Sequence, residues 1–355
     1  MLYIRTDANP TIATGHVMRC MSIAKEVTKL GREVTFITAD LQAKELIETN
    51  GFSLICLNSQ WDNLESELEV LIELIKDREI DRILIDSYFV TENYLLQLRK
   101  YTKIYYLDDL AMFPYPVDVL INYNNYAGKL NYSTEGNCKE TKYILGCKYA
   151  PLREEFRGIV VTPREKVECV LLTTGGSDSC HVASKFLTYL EQEYFRAKEK
   201  ACSIGEMEFH VIVGKFNVDQ DTLNELASKY PQIILHYNVT NMAEIMQSCD
   251  IAITAGGSTM YELCVCGVPM ITYAFADNQL AGVEGFEELG VASYCGDIRD
   301  GEVELWRRIV VAIGEYCSDS SYRIQMAERM QEVVDGNGAR RLAEVVTGLR
   351  DNKII

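Results

Sequence analysis

Apolar residues in the first hundred positions fall into two alternating kinds of run. Short continuous runs at 2–6 (LYIRT), 33–38 (EVTFIT), 82–86 (RILID) and 103–107 (KIYYL) have the length and β-branched content of strands buried on both faces. Between them, 15–30, 41–49, 62–77 and 91–100 carry helix-period apolar patterns, and 117–121 (VDVLI) adds another strand. This alternation predicts a parallel sheet with helices on both faces. From about 124 to 160 the pattern loosens: NYNNYAGKLNYSTEGN is loop-like, and Pro151 breaks any helix in YILGCKYAPLREEFRG. The rhythm restarts with strands at 167–174, 207–213, 232–236, 250–254 and 268–273. Helices are expected at 179–190, 220–229, 241–248, 258–266 and 277–289, while 302–316 and 320–349 read as wholly helical. The expected fold class is therefore α/β, with two doubly wound Rossmann-type domains, 1–158 and 159–355. Two such domains facing each other leave a cleft at the carboxyl ends of both sheets, where ligands of these sheets bind.

The length of 355 residues agrees with two domains at roughly 150 residues each. A net charge of −17 repels nucleic acid and anionic lipid at long range, so a nucleic-acid binder or a basic membrane-surface protein is excluded. A small anionic ligand then needs local donors such as backbone N–H groups. The twelve cysteines form no CxxC pair and do not cluster with histidine at zinc spacing. They read as buried thiols of a reducing cytosol, with no metal and no cofactor expected. MLYIRTDANP lacks the basic-then-apolar pattern of a signal peptide, and no apolar run approaches the ~20 residues that span a bilayer. The expectation is a cytoplasmic chain, monomer or dimer.

Three loops carry candidate chemistry. In RTDANPTIATGHVMRC (5–20) a strand ends at Asp7 and a helix starts near His16. The helix N-terminus disfavours imidazolium, so His16 is placed as a neutral general base; the alternative is a capping or packing histidine. Arg19 shares its face and meets either a substrate anion or a structural carboxylate. In LLTTGGSDSC (171–180), Gly175, Gly176 and Ser177 allow backbone N–H groups to approach a phosphate; a tight turn with Ser177 or Asp178 as N-cap reads equally well. The most informative loop is CDIAITAGGSTMYELCVCGVPMITYAFADNQ (249–279). Gly256, Gly257, Ser258 and Thr259 would present donors to a diphosphate at a helix N-terminus. Glu262, one turn in, would accept the ribose hydroxyls, and Asn278 and Gln279 would reach the donor sugar or phosphate.

Taken together, these segments resemble GT-B nucleotide-sugar enzymes and, more closely, the PseG/SpsG family of UDP-2,4-diacetamido-2,4,6-trideoxy-β-L-altropyranose hydrolases of pseudaminic acid biosynthesis. The resemblance runs from residue 2 to about 290. It rests on Arg5, Asp7, Thr14 to Cys20, Asp86-Ser87-Tyr88, Leu107-Asp108-Asp109, Tyr149 to Phe156 and the 254–279 block. It implies a GT-B-like fold and a UDP-sugar as the small-molecule partner. The base would be His16, and Arg153 and Glu262 would contact substrate. Asp86, Tyr88 and Asp109, at strand ends, would hold the sugar's N-acetyl groups or orient the water; the alternative is structural capping. It also implies metal-independent hydrolysis at the anomeric carbon with inversion, releasing UDP. The alternatives are a GT-B transferase acting on a UDP-sugar donor and a non-catalytic nucleotide-sugar-binding protein. One departure stands out: the family's usual Gly-x-Gly-His has Ala13 at its first glycine.

Overall fold

The computed structural model describes residues 1–161, 164–195 and 203–349. The chain divides into two compact units, Met1–Glu154 together with Asn337 onward, and Glu155–Gly336.

The first unit runs β1 (Leu2–Thr6), α1 (Gly15–Lys29), β2 (Val34–Thr38), α2 (Lys44–Thr49), β3 (Ser53–Cys56), α3 (Leu68–Asp77), β4 (Arg82–Asp86), α4 (Glu92–Leu98), β5 (Lys103–Leu107), β6 (Val119–Asn122) and β7 (Lys142–Leu145). Its strands pair in parallel in the order β3-β2-β1-β4-β5-β6-β7. The continuous apolar strands are buried on both faces because successive side chains alternate. Leu2, Ile4, Leu84, Tyr105 and Leu107 join the core under α1, whereas Tyr3, Ile83, Ile85, Ile104 and Tyr106 join the core under α3 and α4.

The second unit runs β8 (Cys169–Thr173), α5 (Val182–Leu190), β9 (Glu208–Val213), α6 (Gln220–Lys229), β10 (Ile233–Tyr237), α7 (Met242–Ser248), β11 (Ile251–Ala255), α8 (Thr259–Cys266), β12 (Met270–Ala274), α9 (Asp277–Glu288), β13 (Ala292–Asp297), α10 (Glu302–Ser318) and α11 (Ser320–Val333). Its parallel sheet has the order β10-β9-β8-β11-β12-β13.

Two differences from the sequence reading have clear causes. The strands it passes over, β3, β7 and β13, are each the outermost of a sheet. An edge strand buries less of its surface, so SLIC, KYIL and ASYCGD carry interrupted apolar patterns that look like loop. The helix expected over 320–349 is two helices. Residues 334–337 (VDGN) break it, with Gly336 in the left-handed region at φ +74. After the break the chain returns to the first unit as α12 (Gly338–Val346), so the C-terminal segment does not stay with the second domain as expected. Leu342, Ala343, Val345 and Val346 enter the same core as Val17, Met21 and Ala24 of α1. Gly338 permits this docking: a Cβ there would lie 2.1 Å from the Ala150 carbonyl oxygen.

Candidate active site and nucleotide site

The loop after β1 is shaped locally. Asn9 Oδ1 accepts hydrogen bonds from the amides of Thr11 (2.8 Å) and Ile12 (3.0 Å), and Ala13 takes φ +55. Helix α1 then starts at Gly15, which makes His16 its second residue and puts Arg19 one turn on. Thr6 of β1 lies in register with Asp86, the last residue of β4. Tyr88 follows β4, Asp109 follows β5 and Tyr123 follows β6. His16, Arg19, Asp86, Tyr88, Asp109 and Tyr123 thus converge at the carboxyl edge of the first sheet, the edge where doubly wound sheets bind ligands.

Their side chains form one network. Asp86 Oδ1 lies 2.7 Å from His16 Nδ1 and 2.6 Å from Arg19 Nη2, and its Oδ2 accepts from Arg19 Nε at 2.6 Å. Arg19 Nη1 donates to Asp109 Oδ2 (2.8 Å) and to the Tyr123 hydroxyl (3.1 Å). Tyr88 donates to Asp109 Oδ2 at 2.9 Å, and its ring meets the His16 ring edge-on at 4.6 Å. Asn124 donates to Asp109 Oδ1 at 3.0 Å.

Burial by itself raises the Asp86 carboxyl, but Arg19 and His16 outweigh it and hold the group well below the usual carboxylate range. An ionised carboxylate only accepts, so the short contact requires a proton on His16 Nδ1. In the neutral ring the lone pair is then on Nε2. This is how a histidine is oriented for general-base work. Burial raises the Tyr88 phenol, as does Asp109, so it remains a hydrogen-bond donor.

A second buried cluster lies on β1 itself. Arg5, fully buried, bridges Glu67 in a bidentate pair (2.7 and 2.8 Å) and also binds Asp7, whose other oxygen accepts from the Ala39 amide at 2.8 Å. Ser59 and Tyr94 donate to the same Glu67 carboxylate. Arg5 and Asp7 are therefore a framework that fixes the start of the His16 loop.

In the second unit, α8 starts just after β11. The amides of Gly257, Ser258 and Thr259 take no backbone acceptor among the described residues, and Gly257 and Ser258 are exposed. The Ser258 hydroxyl makes no capping bond either. Three consecutive N–H groups at a helix N-terminus form an anion cradle. Glu262 lies one turn along α8 and is half-buried. In the first turn of α9, Asn278 is exposed, and Gln279 is half-buried with Oε1 accepting from the Phe275 amide at 2.9 Å.

Several expectations change here. The Gly256 amide donates to the Tyr273 carbonyl (2.9 Å), so it is not a phosphate donor. Glycine is needed there for packing, since a Cβ would lie 2.8 Å from Val283 Cγ1 and 2.9 Å from Gln279 Cβ. At Gly175, Gly176 and Ser177 the tight-turn reading prevails. All three are exposed, but Asp178 accepts from the Val182 and Ala183 amides (2.8 and 3.0 Å) and fills the α5 N-terminus with a carboxylate. Arg19 and Asp86 bind each other, and Asp86 is only 1% exposed, its carboxylate taken up by Arg19 and His16. Arg153 lies half-buried just before the first unit ends. Tyr123 and Asn124 were missed because the Asn- and Tyr-rich stretch has no periodicity to distinguish it from plain loop.

The cysteines have no zinc spacing along the sequence, but the fold brings Cys169, His210 and Cys249 together, with their ligand atoms within 4.8 Å of one another. The eleven cysteines described are all free thiols, and Cys202 lies outside the described residues. No helix among the described residues is long and apolar enough to cross a membrane.

Comparison with known proteins follows this geometry. Residues 170–332 match the glycosyltransferase family 28 C-terminal domain. The spore coat polysaccharide biosynthesis protein SpsG of Bacillus subtilis is 24% identical over 348 residues, covering 96% of each chain. A Helicobacter pylori protein, pseudaminic acid cytidylyltransferase and UDP-2,4-diacetamido-2,4,6-trideoxy-β-L-altropyranose hydrolase, is 25% identical over 81% of this chain. The chain spans 47% of that protein and 54% of a 28% identical Methanocaldococcus jannaschii relative, about half the length of each. In structure it is similar to MurG of Acinetobacter baumannii, with TM-score 0.70 and 13% identity over 98% of this chain and 99% of that one. The fold is that of GT-B glycosyltransferases, as expected from the sequence.

Proposed function

Starting from a chain of the PseG/SpsG-like family, we propose that it hydrolyses a UDP-linked 2,4-diacetamido-2,4,6-trideoxy sugar at the anomeric carbon with inversion, as a step of nonulosonic acid biosynthesis. The observation that carries this reading is the oriented His16: Nδ1 is held by an ionised Asp86, which is itself clamped by Arg19. Nε2 takes a proton from water while the water oxygen bonds to C1. The bond from C1 to the diphosphate oxygen breaks, and its electron pair leaves with UDP. The amides of Gly257, Ser258 and Thr259 absorb that developing charge, together with the partial positive charge of the α8 N-terminus. With so stable a leaving group, the second carboxyl of ordinary glycoside hydrolysis is not required. Glu262 receives the ribose, and Tyr88 and Asp109 contact the sugar. Asp86 and Arg19 act through His16 as positioning residues.

The family 28 match favours transfer to an acceptor as the second reading. One assay separates the two. Incubation with UDP-2,4-diacetamido-2,4,6-trideoxy-altrose and no acceptor should release UDP, with NMR showing the inverted anomer first. UDP binding without release would overturn hydrolysis. His16→Asn should abolish turnover while leaving UDP affinity nearly unchanged, and parallel loss of both would remove the base assignment.

A further inference from the structure

We propose that Cys169, His210 and Cys249 form a binding site for a thiophilic divalent cation of the zinc class, joining β8, β9 and the segment leading into β11. The two sulfur atoms are 3.6 Å apart. Two thiolates on one tetrahedral zinc, each at about 2.3 Å, stand about 3.8 Å apart, so the pair already has the spacing of a coordination edge. A ring nitrogen of His210 completes a set whose ligand atoms all lie within 4.8 Å. Both cysteines are buried and His210 is half-buried, which suits a site that excludes bulk water.

The histidine is held in place. His236 Nε2 lies 3.0 Å from His210 Nδ1, and the two rings stack at 5.0 Å with 23° between their planes. A second group that fixes ring orientation is the usual companion of a ligating histidine. Cys249 also lines a cavity of about 320 Å³ shared with Arg164, Asp250 and Arg323. Sulfur and imidazole donors in such a set select zinc over magnesium or calcium.

Position decides the role. Cys169 is the first residue of β8 and Cys249 precedes β11 by two residues, whereas Gly257–Thr259 follow β11. The ion therefore sits toward the opposite edge of the sheet from the anion cradle. It ties strands that are 80 residues apart in sequence at the two cysteines, and takes no part in the sugar chemistry. Its effect is on folding, because binding energy at a site assembled only in the native chain becomes native stability.

The test uses the full-length protein, reduced and stripped by a chelator, with Co²⁺ and then Zn²⁺ as probes. One equivalent of Co²⁺ should give a thiolate charge-transfer band and tetrahedral d–d bands. Zn²⁺ should displace it and raise the melting temperature. Cys169→Ser and Cys249→Ser should lose the band. His236→Ala should weaken Co²⁺ binding by roughly 10- to 100-fold without touching a sulfur, and it decides the matter if the cysteine variants fail to fold. Equal uptake by wild type and Cys249→Ser, an affinity unchanged in His236→Ala, or a Cys169–Cys249 disulfide persisting under reductant would each overturn the site.

Discussion

At the scale of single residues, the candidate site is a lesson in shared commitments. Asp86 serves His16 and Arg19 at once, and Arg19 serves Asp86 and Asp109. Asp86→Asn keeps the volume but removes the charge that fixes the Nδ1 proton. Steady-state kinetics should show kcat falling by ~10²–10⁴-fold with UDP affinity retained. Arg19→Ala leaves two carboxylates without their cation in a buried place, and it should cost about 3–5 kcal/mol in urea unfolding. Ala13 is different. It holds the left-handed backbone that glycine adopts freely, so the loop keeps its shape at a steric cost of about 1–2 kcal/mol. Ala13→Gly relieves that cost and gives back about 0.4–1 kcal/mol in unfolded-chain entropy. A rise in the denaturation midpoint at unchanged slope is expected. The place of His16 at a helix start was legible in the sequence. Its partner on the ring was not, because Asp86 is 70 residues away.

At the scale of elements, the two sites follow one rule with different outcomes: a strand ends, a short loop turns, and a helix N-terminus faces the ligand edge. Whether that N-terminus is open depends on its neighbours. At α5 the Asp178 carboxylate closes it, whereas at α8 the Ser258 hydroxyl makes no capping bond among the described residues. Gly256 sets the approach of α9 to that loop. Gly256→Ala would press a methyl group on Val283 and Gln279, and should cost about 1–3 kcal/mol by overpacking while weakening UDP binding through the displaced loop. Calorimetry of the variant with and without UDP measures both. The glycine-rich loops themselves were legible as turns. Which glycine is a donor and which a packing requirement was not, because both look the same in sequence.

At the scale of the whole molecule, the chain closes its first unit last. Helix α12 supplies part of the α1 core, so a chain ending at Gly336 should lose cooperative unfolding of the first unit while the second unit keeps its own transition. Leu342→Ala, fully buried in that core, should cost about 2–5 kcal/mol in the first transition alone. Acid stability gives a further check. The Asp86 carboxyl is depressed in the folded chain, so its contribution is present above the unfolded value near ~3.9 and is lost as pH falls below it. Asp7 and Asp178 are raised by burial and act in the opposite sense. The stability gap between wild type and Asp86→Asn should therefore shrink steadily between about pH 5 and pH 3.

The sequence alone determined the elements whose physics is local. These are the central strands, with their unbroken apolar runs, most of the helices between them, the α/β class and the loops at strand ends. Tertiary structure decided what depends on distant partners. Edge strands buried too little to show a pattern, and α12 changed units at a Gly-rich break. Asp86, read from the sequence as a substrate contact, bonds His16 and Arg19, and Cys169 and His210 of two strands met Cys249 just ahead of a third. Periodicity records which face of an element is buried, whereas the partner of a polar side chain is set by where the whole chain brings a second charge.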